Sequence, residues 1–247
     1  MMQSKGPHAG KLRRLLCVDL PLTGYTEASA LQGKLVKARG DRIIETDIVL
    51  FLEHSPVFTL GRRGGWNNLT VSKDFLEGAG IPVIHAERGG DITYHGPGQL
   101  VGYPIVDLSQ ARLKAFDYVN RLEEVMIRAA AEWGIRPSRN PLNRGVWIDG
   151  NKLGSIGIAV RHGISFHGFA LNVNIDLKPF EWINPCGLRG IGMTSMAQET
   201  SQSISMEQVR EAIKHHMKTI FRVELVRVSL SELLGPLQEP PQINSPS

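Results

Sequence analysis

The order of apolar and polar residues along the chain predicts short strands interleaved with a few amphipathic helices. The clearest helix covers residues 115–133, where apolar side chains recur at helical spacing until Gly134 ends the pattern. Asp149-Gly150 and His162-Gly163 are turn pairs that join three strands as hairpins. Because hairpins are mixed with isolated helices, the pattern predicts a single α+β domain. The predicted strands are 13–20, 47–53, 56–60, 81–85, 100–108, 144–148, 152–161, 165–175 and 223–228, and the predicted helices are 25–38, 72–79, 115–133 and 205–220.

The ends of the chain differ in composition from the middle. Residues 1–12 are predicted to be a flexible N-terminus. Residues 13–234 carry the predicted elements and form the folded domain. Residues 235–247 are rich in Pro, Gln and Ser and are predicted to be a flexible tail.

Composition excludes several classes of protein. Of the 247 residues, 42% are hydrophobic and 21% charged, as in a folded globular domain. No apolar run approaches the roughly 20 residues of a transmembrane helix, so no membrane association is expected. The net charge of +4 comes without a dense Lys/Arg run, which argues against a nucleic-acid partner but is compatible with docking an acidic protein. The two cysteines form no disulfide framework, so a reducing cytoplasm fits best.

Cys186 stands in the segment between Asn184 and Thr194, which contains a proline and several glycines. This composition predicts a loop, because proline stiffens the backbone and glycine leaves room for a ligand. A cysteine on such a loop is placed like a nucleophile. The alternative is a small apolar side chain in the core, which is the common role of an isolated cysteine.

Lys152 is the candidate partner of that cysteine. It begins a predicted strand in which the even-numbered residues are mostly apolar, so its side chain is expected on the buried face unless a bulge breaks the alternation. A nearby lysine favours the thiolate form of a cysteine, and burial eases loss of the lysine's own proton, which suits a base. The alternative is a lysine at the edge of a hairpin, reaching into solvent.

Two glycine-rich segments are candidate ligand loops. They run from Arg88 to Gly90 and from His95 to Gln99, and bare backbone N–H groups there could face a ligand, although ordinary turns have similar composition. His95 is placed to orient a carbonyl group or to move a proton. His167 shares a strand face with apolar residues, so a core histidine and an auxiliary site residue both fit.

Other kinds of site find no support in the chain. No phosphate-binding loop of the Gly-x-x-x-x-Gly-Lys-Ser/Thr type is present, and the histidines lack the spacing of metal ligands. We therefore expect no metal and no bound cofactor.

Four stretches of the chain resemble the motifs of octanoyltransferases, the lipoyl(octanoyl) transferases of lipoate biosynthesis. The resemblance covers residues 13–225 in the order and spacing of the family. The stretches are Arg88-Gly-Gly-Asp-Ile-Thr-Tyr-His-Gly-Pro-Gly-Gln-Leu100, Gly145-Val-Trp-Ile-Asp-Gly-Asn-Lys-Leu-Gly-Ser-Ile-Gly157, His167-Gly-Phe-Ala-Leu-Asn-Val173 and Asn184-Pro-Cys-Gly187, followed by Met193-Thr194.

The resemblance implies a mixed β-sheet flanked by helices, like the catalytic domain of biotin- and lipoate-protein ligases. It makes residues 13–234 an octanoyltransferase domain, with Cys186 as acyl-thioester nucleophile and Lys152 as its activating partner. The implied substrate-binding residues are Arg88, Gly89, Gly90, Asp91, Ile92, Thr93, Tyr94, His95, Ser155, Ile156, Gly157, Gly168, Phe169 and Ala170, and His167 is a possible auxiliary residue.

The implied reaction moves an octanoyl group from octanoyl-acyl carrier protein to a lysine of a lipoyl domain, without ATP. The implied acceptors are the lipoyl domains of 2-oxoacid dehydrogenase complexes and the glycine cleavage H protein. Two alternatives remain at this point. An ATP-dependent lipoate-protein ligase shares the fold but activates a free acid, and a non-catalytic acyl-binding protein keeps the fold alone.

Overall fold

The computed structural model of the protein describes residues 12–141, 143–184 and 190–238. Across these residues, the strands form one eight-stranded and one three-stranded sheet. The elements in chain order are β1 (Arg13–Asp19), α1 (Tyr25–Gly40), β2 (Asp47–Leu52), β3 (Val57–Leu60), α2 (Lys73–Gly78), β4 (Val83–His85), β5 (Ile92–His95), β6 (Gln99–Asp107), α3 (Ala115–Ala131), β7 (Ser138–Arg139), β8 (Gly145–Ile148), β9 (Asn151–Arg161), β10 (Ile164–Asn172), α4 (Met196–Thr200), α5 (Met206–Phe221), β11 (Val223–Arg227) and α6 (Leu230–Gln238).

The larger sheet is mixed, with the strand order β11-β1-β2-β6-β10-β9-β8-β7. β1 runs parallel to both of its neighbours, and the remaining pairs are antiparallel. The hairpin signals in the sequence account for the antiparallel part, because the β8–β9 and β9–β10 turns lie at Asp149-Gly150 and His162-Gly163, where all four residues have positive φ.

Helices cover both faces of the larger sheet. α3 and α5 pack on one face, where they form an apolar cluster with side chains such as Phe51, Leu122 and Ile213. α1 and α6 cover the opposite face, where Leu35 and Leu233 join a second cluster. The smaller sheet, in the order β4-β3-β5, has its own apolar cluster around Phe58 and Phe180.

This architecture confirms the predicted fold class, a single α+β domain with a mixed sheet flanked by helices. The predicted strands and helices are present, with boundaries that differ by a few residues. The sequence pattern missed β5, β7, α4 and α6, all of which are short. α6 runs to Gln238 and so crosses the predicted start of the tail at residue 235. Residues 1–11 of the predicted N-terminus and 239–247 of the predicted tail lie outside the described residues.

In the part of the chain that the structure describes, every helix is too short or too polar to traverse a bilayer.

A buried ion pair joins the start of β2 to the end of α1. Asp47 Oδ1 accepts from Nε and Nη2 of Arg39 at 3.2 and 3.1 Å, and from the Asp107 backbone N–H at 3.0 Å. Both side chains are almost completely buried, with 2% exposure for Arg39 and 6% for Asp47. Arg13 Nη1 donates to the second carboxylate oxygen at 2.9 Å. The pair therefore holds β1, β2, β6 and α1 together at one corner of the sheet.

We expect Asp47→Ala to lower the free energy of unfolding by about 3–5 kcal/mol, because it leaves the Arg39 guanidinium buried without its carboxylate. Urea denaturation measures the change. As a matched control, Asp41→Ala removes the exposed partner of Lys37 and should cost less than about 0.5 kcal/mol. The double variant Arg39→Met with Asp47→Leu should recover much of the loss, and a loss in the double variant as large as that of Asp47→Ala would contradict the explanation.

Candidate functional site

A cavity of about 390 Å³ opens against β9, β10 and the segment that leads into β5. It is lined by most of the predicted site residues, namely 88–93, His95, Lys152, 155–157 and 167–170. The structure thus brings together three stretches that are far apart in the chain. Tyr94 points away from this cavity and packs against Phe58 and Phe180, at ring distances of 5.2 and 5.4 Å, because alternate residues of β5 face opposite sides.

Lys152 is buried in the wall of the cavity, with 1% of its surface exposed. Its Nζ donates a hydrogen bond to Asn143 Oδ1 at 2.5 Å and lies 5.0 Å from the centroid of the Trp147 ring. The β8–β9 ladder has a bulge, since Trp147 pairs with Lys152 while Val146 pairs with Gly154. The predicted burial of the lysine is therefore confirmed, although the strict alternation on which it rested is broken at Leu153.

The segment that follows the cysteine loop is tied to Lys152 by backbone hydrogen bonds. Lys152 N donates to Gly192 O at 2.9 Å, and Thr194 N donates to Lys152 O at 3.1 Å, so that Met193 pairs with Lys152 in parallel. Gly192 fits closely here, because a Cβ at this position would lie 2.0 Å from Asn151 Oδ1. Residues 192–194 thus form an additional short partner for β9 on the side opposite Trp147.

The segment that precedes Cys186 is bonded to residues 68 and 69, between β3 and α2. Asn184 N donates to Asn68 O at 2.7 Å, and Leu69 pairs with Ile183. The Asn68 side chain in turn donates to Asp91 Oδ2 at 2.9 Å. Cys186 itself lies outside the described residues, and the structure defines the two attachments of its loop.

Arg88 clamps the glycine-rich segment onto β3. Its Nη2 donates to Thr59 O at 2.6 Å, Nε donates to Thr59 Oγ1 at 3.1 Å, and Nη1 donates to Gly89 O at 3.0 Å. Gly89 N donates to Ile158 O of β9 at 2.9 Å. A Cβ on Gly157 would approach Gly89 O to 3.0 Å, so glycine at this position allows the segment to lie close against the strand.

A buried chain of hydrogen bonds connects His95 to the segment beside Lys152. His95 Nδ1 and Gln99 Oε1 are 2.7 Å apart, and Gln99 Nε2 donates to Asn172 Oδ1 at 2.9 Å. Asn172 Nδ2 then donates to Thr194 O at 2.9 Å. The three polar side chains are 1–6% exposed. Gln99 and Asn172 are Cα partners across the β6–β10 ladder, which explains why residues so distant in sequence meet.

His167 has an unusual backbone conformation for a strand residue. Its φ is 55°, in the left-handed region that only glycine adopts readily, and the β6–β10 pairing is interrupted between Ser165 and Phe169. The His167 N–H donates to Gln32 Oε1 at 2.7 Å instead of to the ladder. Within the described residues, its buried Nδ1 makes no hydrogen bond. His167 is 3% exposed, as expected of a core residue, and it also lines the cavity, so its auxiliary role in the site stays a prediction.

Histidines and tyrosines form a buried cluster beside the cavity. His54 Nε2 and the Tyr103 hydroxyl are 2.7 Å apart, and the Tyr25 ring stacks on His95 with centroids 6.2 Å apart. Burial lowers the pKa of His54, and burial together with the neighbouring His54 and Arg88 holds the pKa of His95 well below its ordinary value of 6.5. Burial and the Arg88 charge lower the pKa of His167 to about 4. All three imidazoles are neutral at pH 7.

Several cavity residues were not predicted from the sequence. Asn143, the partner of Lys152, stands in an irregular stretch before β8 with no pattern to mark it. Tyr103 and Val101 belong to a continuous apolar strand and resemble core residues. Arg63 and Arg144 also line the cavity and bring positive charge to it.

Cys17 is a core residue, as predicted, with 1% exposure, and burial raises the pKa of its thiol to about 12. Over the described residues, no group of three or more His, Cys, Asp or Glu side chains is arranged to hold a metal ion.

We expect the protein to lose stability as the pH falls from 6.5 towards 4. The folded pKa values of His54, His95 and His167 are depressed, so the unfolded chain takes up protons in this window that the folded chain does not bind. Three such protons correspond to a slope of at most roughly 4 kcal/mol per pH unit. Urea unfolding at pH 7, 6 and 5 measures it. A His85→Gln control, which changes an exposed histidine, should keep the same slope, and an unfolding free energy that stays constant down to pH 5 would contradict the prediction.

Comparison with known proteins places the chain in a family. The model of the lipoyl protein ligase A/B catalytic domain matches residues 24–218. A protein named octanoyltransferase from Desulfotalea psychrophila is 50% identical over 206 residues, which cover 83% of this chain and 92% of that protein. The octanoyltransferase of Syntrophobacter fumaroxidans is 40% identical over 222 residues, with 90% and 97% coverage.

Solved structures agree in fold. A lipoate-protein ligase A bound with ATP superposes with a TM-score of 0.70 at 17% identity and covers 90% of each chain. The biotin protein ligase of Aquifex aeolicus in complex with biotin and ATP superposes with a TM-score of 0.51 at 13% identity, over 86% of this chain and 71% of that one. These comparisons confirm the resemblance drawn from the four sequence motifs. The chain belongs to the lipoyl protein ligase A/B catalytic domain family.

Proposed function

We propose that the protein is an octanoyltransferase, which moves an octanoyl group from acyl carrier protein to a lysine of a lipoyl domain through a thioester on Cys186. The observation that carries the proposal is the backbone pairing of Lys152 with residues 192–194. This pairing fixes one end of the loop that contains Cys186 next to the buried lysine. The octanoyltransferase relatives, 40–50% identical over most of the chain, support the same reaction.

The residue types suit an exchange between thioesters. A thiolate attacks the donor thioester and forms another thioester, a step of small free-energy change that requires no ATP. The Lys152 ammonium favours the thiolate form of Cys186 if the two lie close together. Backbone N–H groups of the glycine-rich loops would stabilise the negative charge on the carbonyl oxygen, an effect worth roughly 3 kcal/mol per donor.

The cavity supplies a slot for the acyl chain. Ile156, Ile158, Phe169 and Ala170 give it apolar walls, while Gly157 and Gly168, which pair across the β9–β10 ladder, leave space between them. Burying each methylene group contributes about 0.8 kcal/mol, so the depth of the slot can select the length of the chain. The segments 88–93, 155–157 and 168–170 are the proposed acyl-binding residues, with His167 beside them.

The proposed partners follow from charge and from the relatives. Acyl carrier proteins are acidic, and Arg63 and Arg144 line the cavity of a chain with a net charge of +4. The lipoyl domains of 2-oxoacid dehydrogenase complexes and the glycine cleavage H protein are the proposed acceptors. A reducing, cytoplasmic compartment suits a reaction that depends on a free thiolate.

An ATP-dependent lipoate-protein ligase is the second candidate, because the solved structure with TM-score 0.70 is such an enzyme with bound ATP. Ligases activate a free acid and need no cysteine nucleophile. The two mechanisms therefore predict different requirements for ATP and for Cys186. A non-catalytic acyl-binding protein would need neither Cys186 nor Lys152.

We expect incubation with octanoyl-acyl carrier protein, without ATP, to add the mass of one octanoyl group to the protein. Intact-mass spectrometry measures the adduct. Cys186→Ala should remove it, whereas Cys17→Ala should retain it, because burial keeps the Cys17 thiol protonated and out of reach. An unmodified wild-type protein that labels a lipoyl domain only with ATP and free octanoate would establish the ligase instead.

We expect Lys152→Ala to move the pH profile of Cys186 alkylation upward by about 1–3 pH units, since the thiolate loses a neighbouring positive charge. Iodoacetamide labelling of the Cys17→Ala background between pH 5 and 10 measures the shift. Lys178→Ala, which removes an exposed lysine, is the matched control and should leave the profile in place. An unshifted profile in Lys152→Ala would exclude this lysine as the activator.

A further inference from the structure

The proposed reaction needs a group that accepts a proton from the incoming lysine amine. The contacts of Lys152 suit the opposite role. Its Nζ donates to Asn143 Oδ1 at 2.5 Å and lies 5.0 Å from the Trp147 ring, and both neighbours favour the positively charged ammonium. An ammonium has three N–H donors and no lone pair. A lysine that stabilises the thiolate therefore leaves the proton of the amine to a different residue.

The backbone oxygen of Thr194 fixes the donor-to-acceptor direction of the whole hydrogen-bond chain that leads to His95. Thr194 O is a carbonyl oxygen and can only accept, so the Asn172 atom 2.9 Å away is the amide nitrogen. The carbonyl oxygen of Asn172 must then face Gln99, which donates to it through Nε2 at 2.9 Å. Gln99 consequently turns its own oxygen towards His95.

This direction determines which nitrogen of His95 carries the proton. Gln99 Oε1 lies 2.7 Å from Nδ1 and can only accept, so Nδ1 is the protonated nitrogen of the neutral ring. Nε2 then holds a lone pair and makes no hydrogen bond to any described residue. His95 lines the same cavity as Lys152, and Nε2 is the ring nitrogen that Gln99 leaves available to a ligand there.

The sheet register sets the backbone distance between Gln99, the partner of His95, and the strand that carries Lys152. Gln99 and Asn172 are direct partners across β6 and β10, and the neighbouring residue Leu171 pairs with Gly154 of β9. Two strand spacings, roughly 10 Å, therefore separate the backbone of Gln99 from β9 close to Lys152.

We propose that His95 is a further catalytic residue, whose Nε2 takes the proton from the acceptor amine during acyl transfer, and that Gln99 and Asn172 are positioning residues which hold it in the required tautomer. This assignment rests on the proposed octanoyl transfer.

The step balances with the groups present. The neutral lysine amine of the acceptor forms a bond from nitrogen to the acyl carbonyl carbon, which produces a tetrahedral adduct with a positive nitrogen. Nε2 of His95 removes one proton from that nitrogen. The carbon–sulfur bond then breaks, and Sγ of Cys186 leaves as a thiolate beside the Lys152 ammonium. The His95 imidazolium releases its proton to water, so the enzyme returns to its starting form.

The surroundings of His95 keep it neutral between turnovers. His54 lies 5.6 Å away edge-on, Tyr25 stacks at 6.2 Å, and the positive charge of Arg88 acts on it across the cavity. Burial and these neighbours depress its pKa, so the lone pair stays available throughout the neutral range. A base of low pKa suffices here, because the nitrogen of the tetrahedral adduct is much more acidic than a free alkylammonium group.

Separate measurement of the two half-reactions tests the proposal. The full-length His95→Asn variant keeps an N–H donor near Gln99 and removes Nε2. It should form the acyl-enzyme from octanoyl-acyl carrier protein at close to the wild-type rate. Single-turnover transfer from this acyl-enzyme to a lipoyl domain should fall on the order of 10²–10⁴-fold. His162→Asn, which makes the same change at the exposed β9–β10 turn, is the matched control and should leave both rates unchanged.

Gln99→Met tests the positioning role. It removes the acceptor for Nδ1–H, and transfer should slow on the order of 10–100-fold while acylation continues. Long-range ¹H–¹⁵N spectra of protein labelled in histidine report the tautomer directly. Wild-type His95 should show a protonated Nδ1 and a bare Nε2, and Gln99→Met should show a mixture. This readout requires no activity and separates positioning from a purely structural effect.

The outcomes separate a failure of the octanoyltransferase function from a failure of the role assigned to His95. If wild-type protein forms no acyl-enzyme, the octanoyltransferase function fails. If acylation proceeds and His95→Asn transfers at the wild-type rate, or loses both half-reactions equally, His95 is not the amine base. If His95→Asn does not fold, the wild-type spectrum still decides, because a protonated Nε2 overturns the assignment.

Discussion

Two hydrogen bonds between the backbone of Lys152 and residues 192–194 are the constraint on which the rest of the site depends. They pair the backbone N–H and C=O of Lys152 on the β10 side of β9, beyond the last β9–β10 pair at Gly154. They also fix the position of Thr194 O. This oxygen accepts from Asn172, whose own oxygen accepts from Gln99, so it sets the direction of the hydrogen-bond chain. Lys152 and His95 are therefore both oriented by residues 192–194, the short segment that follows Cys186 in the chain.

The fold was largely predictable because its signals are local. Hairpin turns at Asp149-Gly150 and His162-Gly163 and the amphipathic pattern of α3 each depend on residues within one element. β5 was missed because it is four residues long and lies between the glycine-rich segments Arg88 to Gly90 and His95 to Gln99, and it serves as both strand and cavity wall. α6 was missed because its apolar positions lie next to a Pro-rich end.

The candidate site was predictable to a smaller extent. Motif resemblance identified the segments that line the cavity, but the roles of their side chains depend on tertiary contacts. The Arg88 guanidinium donates hydrogen bonds to Thr59 and Gly89, so one role of Arg88 is to fix the shape of the cavity wall. Asn143, the partner of Lys152, carries no sequence signal, and the link between Gln99, Asn172 and Thr194 appears only when β6 and β10 pair. Alternation along β9 predicted a buried lysine, yet the bulge at Val146 and Trp147 shows that a different geometry produces the burial.

The two ends of the segment that contains Cys186 are bonded to different parts of the fold. Its entrance, Asn184, is bonded to Asn68 and through it to Asp91 near the smaller sheet, and its exit is bonded to β9 of the larger one. Five residues, 185–189, lie between Asn184 and Gly190. The placement of the proposed nucleophile, Cys186, therefore depends on contacts from both parts of the fold.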